Sequence, residues 1–485
     1  MRSIYVLIAF LLFYLTSIGR PLAANIENET PMIFTANNGT QVDAYQGQLM
    51  VKENRDNPSS RHIRINYVRF PATRDNAGPP IIYLAGGPGG SGIRTAQGRR
   101  FELFMAMREF GDVIALDQRG TGQSQKPEQC MATNQPDISR LYDEASWRLL
   151  YREAVRQCFV HWQQQGIDIY GYNTTQNALD INDLRLHLGA EKVSLWGISY
   201  GSHLALAAVK EFAEHIDKLV LASVEGLSQT VKLPARTDAY FQRVQDVLNA
   251  QALGEQVPDL LKLMRRVHQT LNDAPLELTL TRQDGTAVSV PVNATHLQRT
   301  ASFMIADPGP YLATLIQLYQ SLGHGDSRML QGLLQQFGYA DRPLMFDLMP
   351  TAMDISSGIS AQRLAMVEQQ ANDAVLGLQL NFPMPLLANL DPRMDLGEHF
   401  RRIPQSDIPV LVLSGTLDGR TYPTSQREAL RGMSAAQFVT VANAGHNLFM
   451  SSPAVTQTIQ AFMRSKPLSS SVIQLPLPAL AMPAR

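Results

Sequence analysis

Cysteine is nearly absent from this chain of 485 residues, which holds only Cys130 and Cys158. So few excludes a small disulfide-built scaffold and a Cys-rich zinc module. An excess of one charge is missing as well. Lys+Arg number 42 against 43 Asp+Glu, a formal net charge of −1. That balance excludes the basic footprint of a nucleic-acid binder and of a polybasic membrane-surface protein. There is no His-Glu-x-x-His, no paired-Cys arrangement and no glycine-rich loop followed by Gly-Lys-Ser/Thr. Metal and P-loop chemistry therefore have no support in the sequence, and no metal or cofactor is expected. Low-hydrophobicity disorder is excluded too, because 45% hydrophobic and 18% charged residues make a globular composition. At about 100–200 residues per domain, the length suits two or three units, or one large domain carrying an insertion.

One sustained apolar run is present, at the N-terminus. Met1-Arg2-Ser3 carries positive charge, Ile4 to Ile18 is almost wholly apolar, and Leu22-Ala23-Ala24 supplies small residues. This is the three-part pattern of a secretory signal peptide over residues 1–24, cleaved after Ala24. The run of 15 residues falls short of the roughly 18–20 that span a bilayer. No comparable run follows, so no stable membrane span is expected after cleavage. The mature protein is expected to be exported, to a periplasm or the extracellular medium. Export makes disulfides possible, and Cys130 with Cys158 is the one available pair. Their bond is favoured over two buried thiols, and closing that segment is worth roughly 3–4 kcal/mol by chain entropy.

Gln41 to Val51 and Arg61 to Phe70 read as strands. Short continuous apolar runs follow at Ile81–Leu84, Val113–Leu116, Val193–Trp196, Leu219–Ala222 and Val410–Leu413, with helical patterns between several of them. Strands of that kind are buried on both faces, as in a parallel sheet flanked by helices, so the fold class is α/β. The alternation stops after Glu225. Residues 229–404 are mostly helix-like, interrupted by a hairpin over Leu276 to Val292 that turns at Asp284-Gly285. The expected organisation is a core in two parts, 25–228 and 405–485, with a helical cap at 229–404 inserted after the sixth strand. The tail beyond Lys466 contains four prolines and reads as an extended, poorly packed strap.

Gly197-Ile198-Ser199-Tyr200-Gly201 lies between a buried strand and an apolar helix. A serine at such a turn is exposed at the sheet edge as a nucleophile, provided a base activates it. In the chain order Ser, acid, His, the partners are Asp418 in Leu413-Ser414-Gly415-Thr416-Leu417-Asp418-Gly419 and His446 in Ala444-Gly445-His446. Both follow strand-like runs, where a parallel sheet exposes functional groups. His187, His215 and His268 lie in helical patterns, and His203 on the elbow helix is expected to face packing or solvent. An oxyanion needs donors fixed before reaction. Tyr200 N–H is one, and Gly86-Gly87-Pro88-Gly89-Gly90 offers the second at Gly87, with Gly86 as the alternative.

Gly86-Gly87-Pro88-Gly89, Asp117-Gln118-Arg119-Gly120-Thr121-Gly122-Gln123-Ser124, the Ser199 elbow, Asp418 and Gly445-His446 together resemble the α/β-hydrolase family of proline iminopeptidases and secreted tripeptidyl aminopeptidases. Ala85 departs from the His that many relatives place before Gly-Gly-Pro-Gly, which leans toward the tripeptidyl type. The resemblance implies a mostly parallel sheet, a helical cap after the sixth strand, and release of residues or short peptides from free N-termini, often with a proline preference. Asp117 and Arg119 are expected to fix loops rather than to react. A protonated substrate amine calls for a carboxylate at the cap mouth, for which Glu225 is expected, with Asp354 and Glu368 as weaker candidates. The expected partner is thus a peptide with a free N-terminus. A carboxylesterase using the same triad is the alternative, and a binding protein on an inactivated hydrolase fold is a third reading, opposed by the complete triad.

Overall fold

The computed structural model describes residue 26 and residues 28–480. The expected signal peptide, residues 1–24, lies outside the described residues. Ten strands form the main sheet: β1 (Glu29–Thr35), β2 (Gln41–Lys52), β3 (His62–Phe70), β4 (Ile81–Leu84), β5 (Val113–Asp117), β6 (Val193–Ser199), β7 (Ile216–Val224), β8 (Val410–Gly415), β9 (Ala436–Ala442) and β10 (Val472–Gln474). Their spatial order is β1-β2-β3-β5-β4-β6-β7-β8-β9-β10. The pairs from β1 to β5 by way of β3 are antiparallel, and every pair from β5 onward is parallel.

Side chains alternate across the parallel strands, so each strand feeds two cores. Ile82 and Leu84 of β4 enter one hydrophobic cluster, while Ile81 and Tyr83 enter the other. Both faces are covered by helices, which is why these strands read as unbroken apolar runs. The helix Glu144–Gln164 on one face carries Cys158, whose disulfide to Cys130 spans a Cα–Cα distance of 5.6 Å.

Between Val224 and Val410 the chain is mostly helical, with the hairpin Leu276–Thr281/Ala287–Val292 set among the helices. This segment has a hydrophobic core of its own, including Tyr240, Phe241, Leu297 and Tyr319. Its helix Leu348–Ser357 places Met349, Ala352 and Met353 in the main core, and Phe346 pairs in a short ladder with Cys130. The segment follows β7, the sixth of the strands read from the sequence, because β1 was not among them. The C-terminal tail differs from its expected loose strap. Val472–Gln474 extends the sheet beside β9, and Leu480 is 1% exposed within the helical segment's core. Burying one such leucine contributes roughly 1.5–3 kcal/mol.

Candidate active site

Ser199 ends β6 and precedes the helix Tyr200–Phe212 with φ 55° and ψ −128°. A non-glycine residue at positive φ costs about 1–3 kcal/mol and persists only where its surroundings enforce it. The two flanking glycines make the turn possible. A Cβ on Gly201 would sit 2.0 Å from the carbonyl oxygen of Leu84, and one on Gly197 would sit 2.6 Å from that of Gly201. The hydroxyl of Ser202 donates to the Ser199 carbonyl at 2.6 Å and so braces the turn.

The glycine loop after β4 closes on this serine. A Cβ on Gly86 would lie 2.9 Å from the Ile198 carbonyl oxygen and 3.0 Å from Ser199 Cβ, so no other residue fits there without displacement. Gly87 takes φ +131°. Gly87 and Ser199 line the same cavity, and the N–H of Tyr200, next to Ser199 in the chain, lies at the positive end of the elbow helix, where negative charge is stabilised. The Tyr200 side chain is buried in the core instead, its hydroxyl 3.3 Å from Thr174 Oγ1. Asp117 is fully buried and accepts from Ser91 Oγ at 2.6 Å and Gln123 N at 2.7 Å, tying the glycine loop to the segment that follows β5. Burial pushes its carboxyl up, against those hydrogen bonds. Arg119 is fully buried on Asp180, at 2.7 Å from each carboxylate oxygen. Both residues therefore hold loops.

Asp418 and His446 follow β8 and β9. His446 Nδ1 lies 3.1 Å from each Asp418 oxygen. Asp418 is fully buried and also accepts from Arg420 N and Thr421 N, both at 2.8 Å, and from Thr421 Oγ1 at 2.7 Å. Burial by itself raises this carboxyl. The His446 charge and the hydrogen bonds from His446 and Thr421 outweigh it and hold the group below the usual carboxylate range. Ser199 and His446 line one cavity of about 430 Å³, together with Gly86 and Gly87. Ser199 Oγ has no hydrogen bond to a described side chain. Such nucleophile–base contacts are commonly loose before substrate binds and tighten in the complex.

Glu225 directly follows β7 and lines the same cavity, but its carboxylate is already paired with Lys232 Nζ at 2.5 Å. Asp354, from the helix Leu348–Ser357, also faces the cavity. Burial and then the Glu225 charge push its carboxyl up to about 7, with Lys232 acting the other way. Glu368 lines a separate cavity of about 680 Å³, with Trp147 and Arg299, and does not meet Ser199. His203 is buried, 3.2 Å from Ser357 Oγ and 3.3 Å from the Gly226 carbonyl oxygen, so it packs as expected. Sequence reasoning missed Lys232, Arg100 and Asn447, all on the cavity wall. Of these only Asn447 carried a signal, its place beside His446. Among the described residues no group of three or more His, Cys, Asp or Glu could hold a metal ion, and no helix is long and apolar enough to cross a membrane.

The profile of a family described as alpha/beta hydrolase fold matches residues 79–453. Serine protease Hip1 of Mycobacterium tuberculosis is 29% identical over 206 residues, 40% of this chain and 39% of that protein. Tripeptidyl aminopeptidase of Streptomyces lividans is 27% identical over 208 residues, 40% of this chain and 37% of that protein. The matched region thus spans about two fifths of the length of these curated relatives. Among solved structures, an alpha/beta hydrolase enzyme from a Medee basin deep-sea metagenome library is 13% identical, covering 84% of this chain and 97% of its own, with a TM-score of 0.38.

Proposed function

Because the chain belongs to the alpha/beta hydrolase fold family, we propose that it is an exported serine aminopeptidase that releases N-terminal residues or short peptides. Ser199 Oγ attacks the scissile carbonyl while His446 takes its proton and then passes it to the leaving amine. Asp418 keeps His446 oriented and stabilises its imidazolium form. The N–H groups of Gly87 and Tyr200 hold the oxyanion, and water, activated by His446, releases the acyl group. Glu225 and Asp354 attract the substrate's ammonium group. Export is supported by the apolar N-terminal segment and by the Cys130–Cys158 disulfide, since such bonds persist in oxidising compartments.

The observation that carries this reading is a single cavity lined by the elbow serine, the carboxylate-backed histidine and two further carboxylates. The relatives named serine protease and tripeptidyl aminopeptidase support the same direction. The test is an assay of the mature protein, beside Ser199→Ala, on Pro-, Ala-Pro- and Ala-Ala-Pro-reporter amides with free or acetylated N-termini, and on a short acyl ester. Cleavage that needs a free amine and disappears in Ser199→Ala is the expected result. Ester turnover without peptide cleavage would instead make the protein a carboxylesterase.

A further inference from the structure

We propose that Arg100 is the subsite for a substrate's C-terminal carboxylate, so that the preferred substrates are short peptides with both termini free. The proposal rests on the aminopeptidase reading and adds the substrate class. Arg100 precedes the helix Phe101–Met107, is 8% exposed, and lines the catalytic cavity. Its guanidinium donates to the Tyr83 hydroxyl and, at 3.1 Å, to Asn447 Oδ1, both neutral acceptors. It has no ion pair among the described residues.

A buried guanidinium without a counter-ion is costly, and buried arginines are normally paired. The other fully buried arginines obey that rule or face no cavity, while Arg420, only half-buried on the same wall, is held by the Ser302 carbonyl oxygen. Arg69 pairs with Glu29, Arg119 with Asp180 and Arg401 with Asp395. Arg185 is capped by the carbonyl oxygens of Ala190 and Glu191. Arg100 combines burial, neutral partners and a wall position in the cavity that holds Ser199. Its missing partner is therefore an anion that enters with the substrate.

The topology says which anion. In the sheet β6, which carries Ser199, lies between β4 and β7. The chain leaving β4 supplies the glycine loop and Arg100, while the chain leaving β7 supplies Glu225. A peptide lying across Ser199 thus meets Glu225, paired with Lys232, on the β7 side, with Asp354 from the helix Leu348–Ser357, and an unpaired guanidinium on the β4 side. His446 must protonate the leaving nitrogen, so the leaving fragment lies against it, and the next residue in the chain, Asn447, is the one that holds Arg100. The charge order across the cavity matches a peptide running from ammonium at Glu225 and Asp354 to carboxylate at Arg100. A planar carboxylate also suits the fork of a guanidinium.

The test compares matched peptides of increasing length, each as the free acid and as the C-terminal amide, on the full mature enzyme, Arg100→Gln and Arg100→Lys. Ala-Ala-Pro-reporter amides with free and acetylated amines are run in parallel, and thermal unfolding is recorded for each variant. At the best length the wild type should prefer the free acid by about 10- to 100-fold in kcat/KM, the range for one hydrogen bond to a charged group, mostly through KM. The ratio should collapse in Arg100→Gln and take an intermediate value in Arg100→Lys. Equal rates for acid and amide at every length in the wild type would overturn the carboxylate subsite, while free-amine dependence on the reporters would leave the aminopeptidase reading standing. An acid preference that survives in folded Arg100→Gln would remove Arg100 from the role. Loss of free-amine dependence would instead overturn the reading beneath.

Discussion

Replacing Asp418 by Asn changes one atom, and the surrounding donors decide what it does. Oδ1 accepts two backbone N–H groups, from Arg420 and Thr421, both at 2.8 Å, so only the amide oxygen can occupy that position. The amide NH₂ must then take the place of Oδ2, beside Thr421 Oγ1 at 2.7 Å and His446 Nδ1 at 3.1 Å. Thr421 can reverse its hydrogen bond, because a hydroxyl both donates and accepts. His446 can accept at Nδ1 only as the tautomer protonated at Nε2, and that tautomer cannot take a proton from Ser199. The expected loss is about 10⁴-fold in kcat, equivalent to ~5.4 kcal/mol of barrier. Stability should fall only modestly, by the roughly 1–3 kcal/mol of the one buried donor that loses its acceptor, the Thr421 hydroxyl proton. The assay is kcat on the best reporter amide alongside thermal unfolding. A loss below tenfold in the folded variant would show that His446 does not depend on Asp418 for its tautomer, and the triad assignment would fall.

Three more outcomes are expected. Gly201→Ala drives a Cβ to 2.0 Å from the Leu84 carbonyl oxygen, and because backbone cannot yield as a side chain does, it should destabilise by at least the roughly 1–3 kcal/mol of core overpacking, read as a lower melting temperature. Cys158→Ser removes the bond to Cys130, which closes a separation of 28 residues, and should cost roughly 3–4 kcal/mol in denaturant unfolding, with reductant reproducing the loss in the wild type. Asp354 keeps its proton to about pH 7 in the folded state, whereas an unfolded Asp loses it near pH 3.9. Between those values the folded state binds more protons, so this group's contribution to stability falls as pH rises through that window and is level above it. Asp354→Asn should therefore gain melting temperature over the wild type at pH 8 relative to pH 4, and it should abolish a fall in KM for free-amine peptides as pH rises through 7.

The parallel strands were legible because burial on both faces leaves an unbroken apolar run, as at Ile81–Leu84, where all four residues are buried. The edges were not. β1 reads Glu-Thr-Pro-Met-Ile-Phe-Thr, and only Phe34 is fully buried, so the strand has neither an apolar run nor full alternation to mark it. β10 is three residues long, and its pairing with β9 is a tertiary event that no local pattern announces. The prolines of the tail argued correctly against a helix, but they carry no information on whether Leu480 finds a pocket. Ser199, Asp418 and His446 stood out for the opposite reason. Each is framed by small residues that a sequence displays whatever they pack against, and at Gly197, Gly201 and Gly445 a Cβ would meet a neighbour at 2.6 Å or less. Lys232, Asp354 and Arg100 have no such frame, because a charged side chain means something only through the groups it faces, and no local pattern shows that all three face one cavity.

Three hydrogen bonds join the loop that carries His446 to the helical segment. The His446 backbone N–H donates to the carbonyl oxygen of Ala306 at 2.8 Å, and Asp307 accepts from both N and Nδ2 of Asn447 at 2.7 Å. Ala306 and Asp307 belong to the helical segment between β7 and β8, so the loop that carries the base is fastened to the same segment that supplies Asp354. Asn447 in turn orients Arg100. A shift of that segment on substrate binding would move the base, the carboxylate of Asp354 and the guanidinium's support together. On the proposed reading, substrate length and chemical rate are coupled through these shared hydrogen bonds. The expectation is that a peptide too short to reach from Asp354 to Arg100 loses some kcat as well as affinity, read as kcat and KM over a length series.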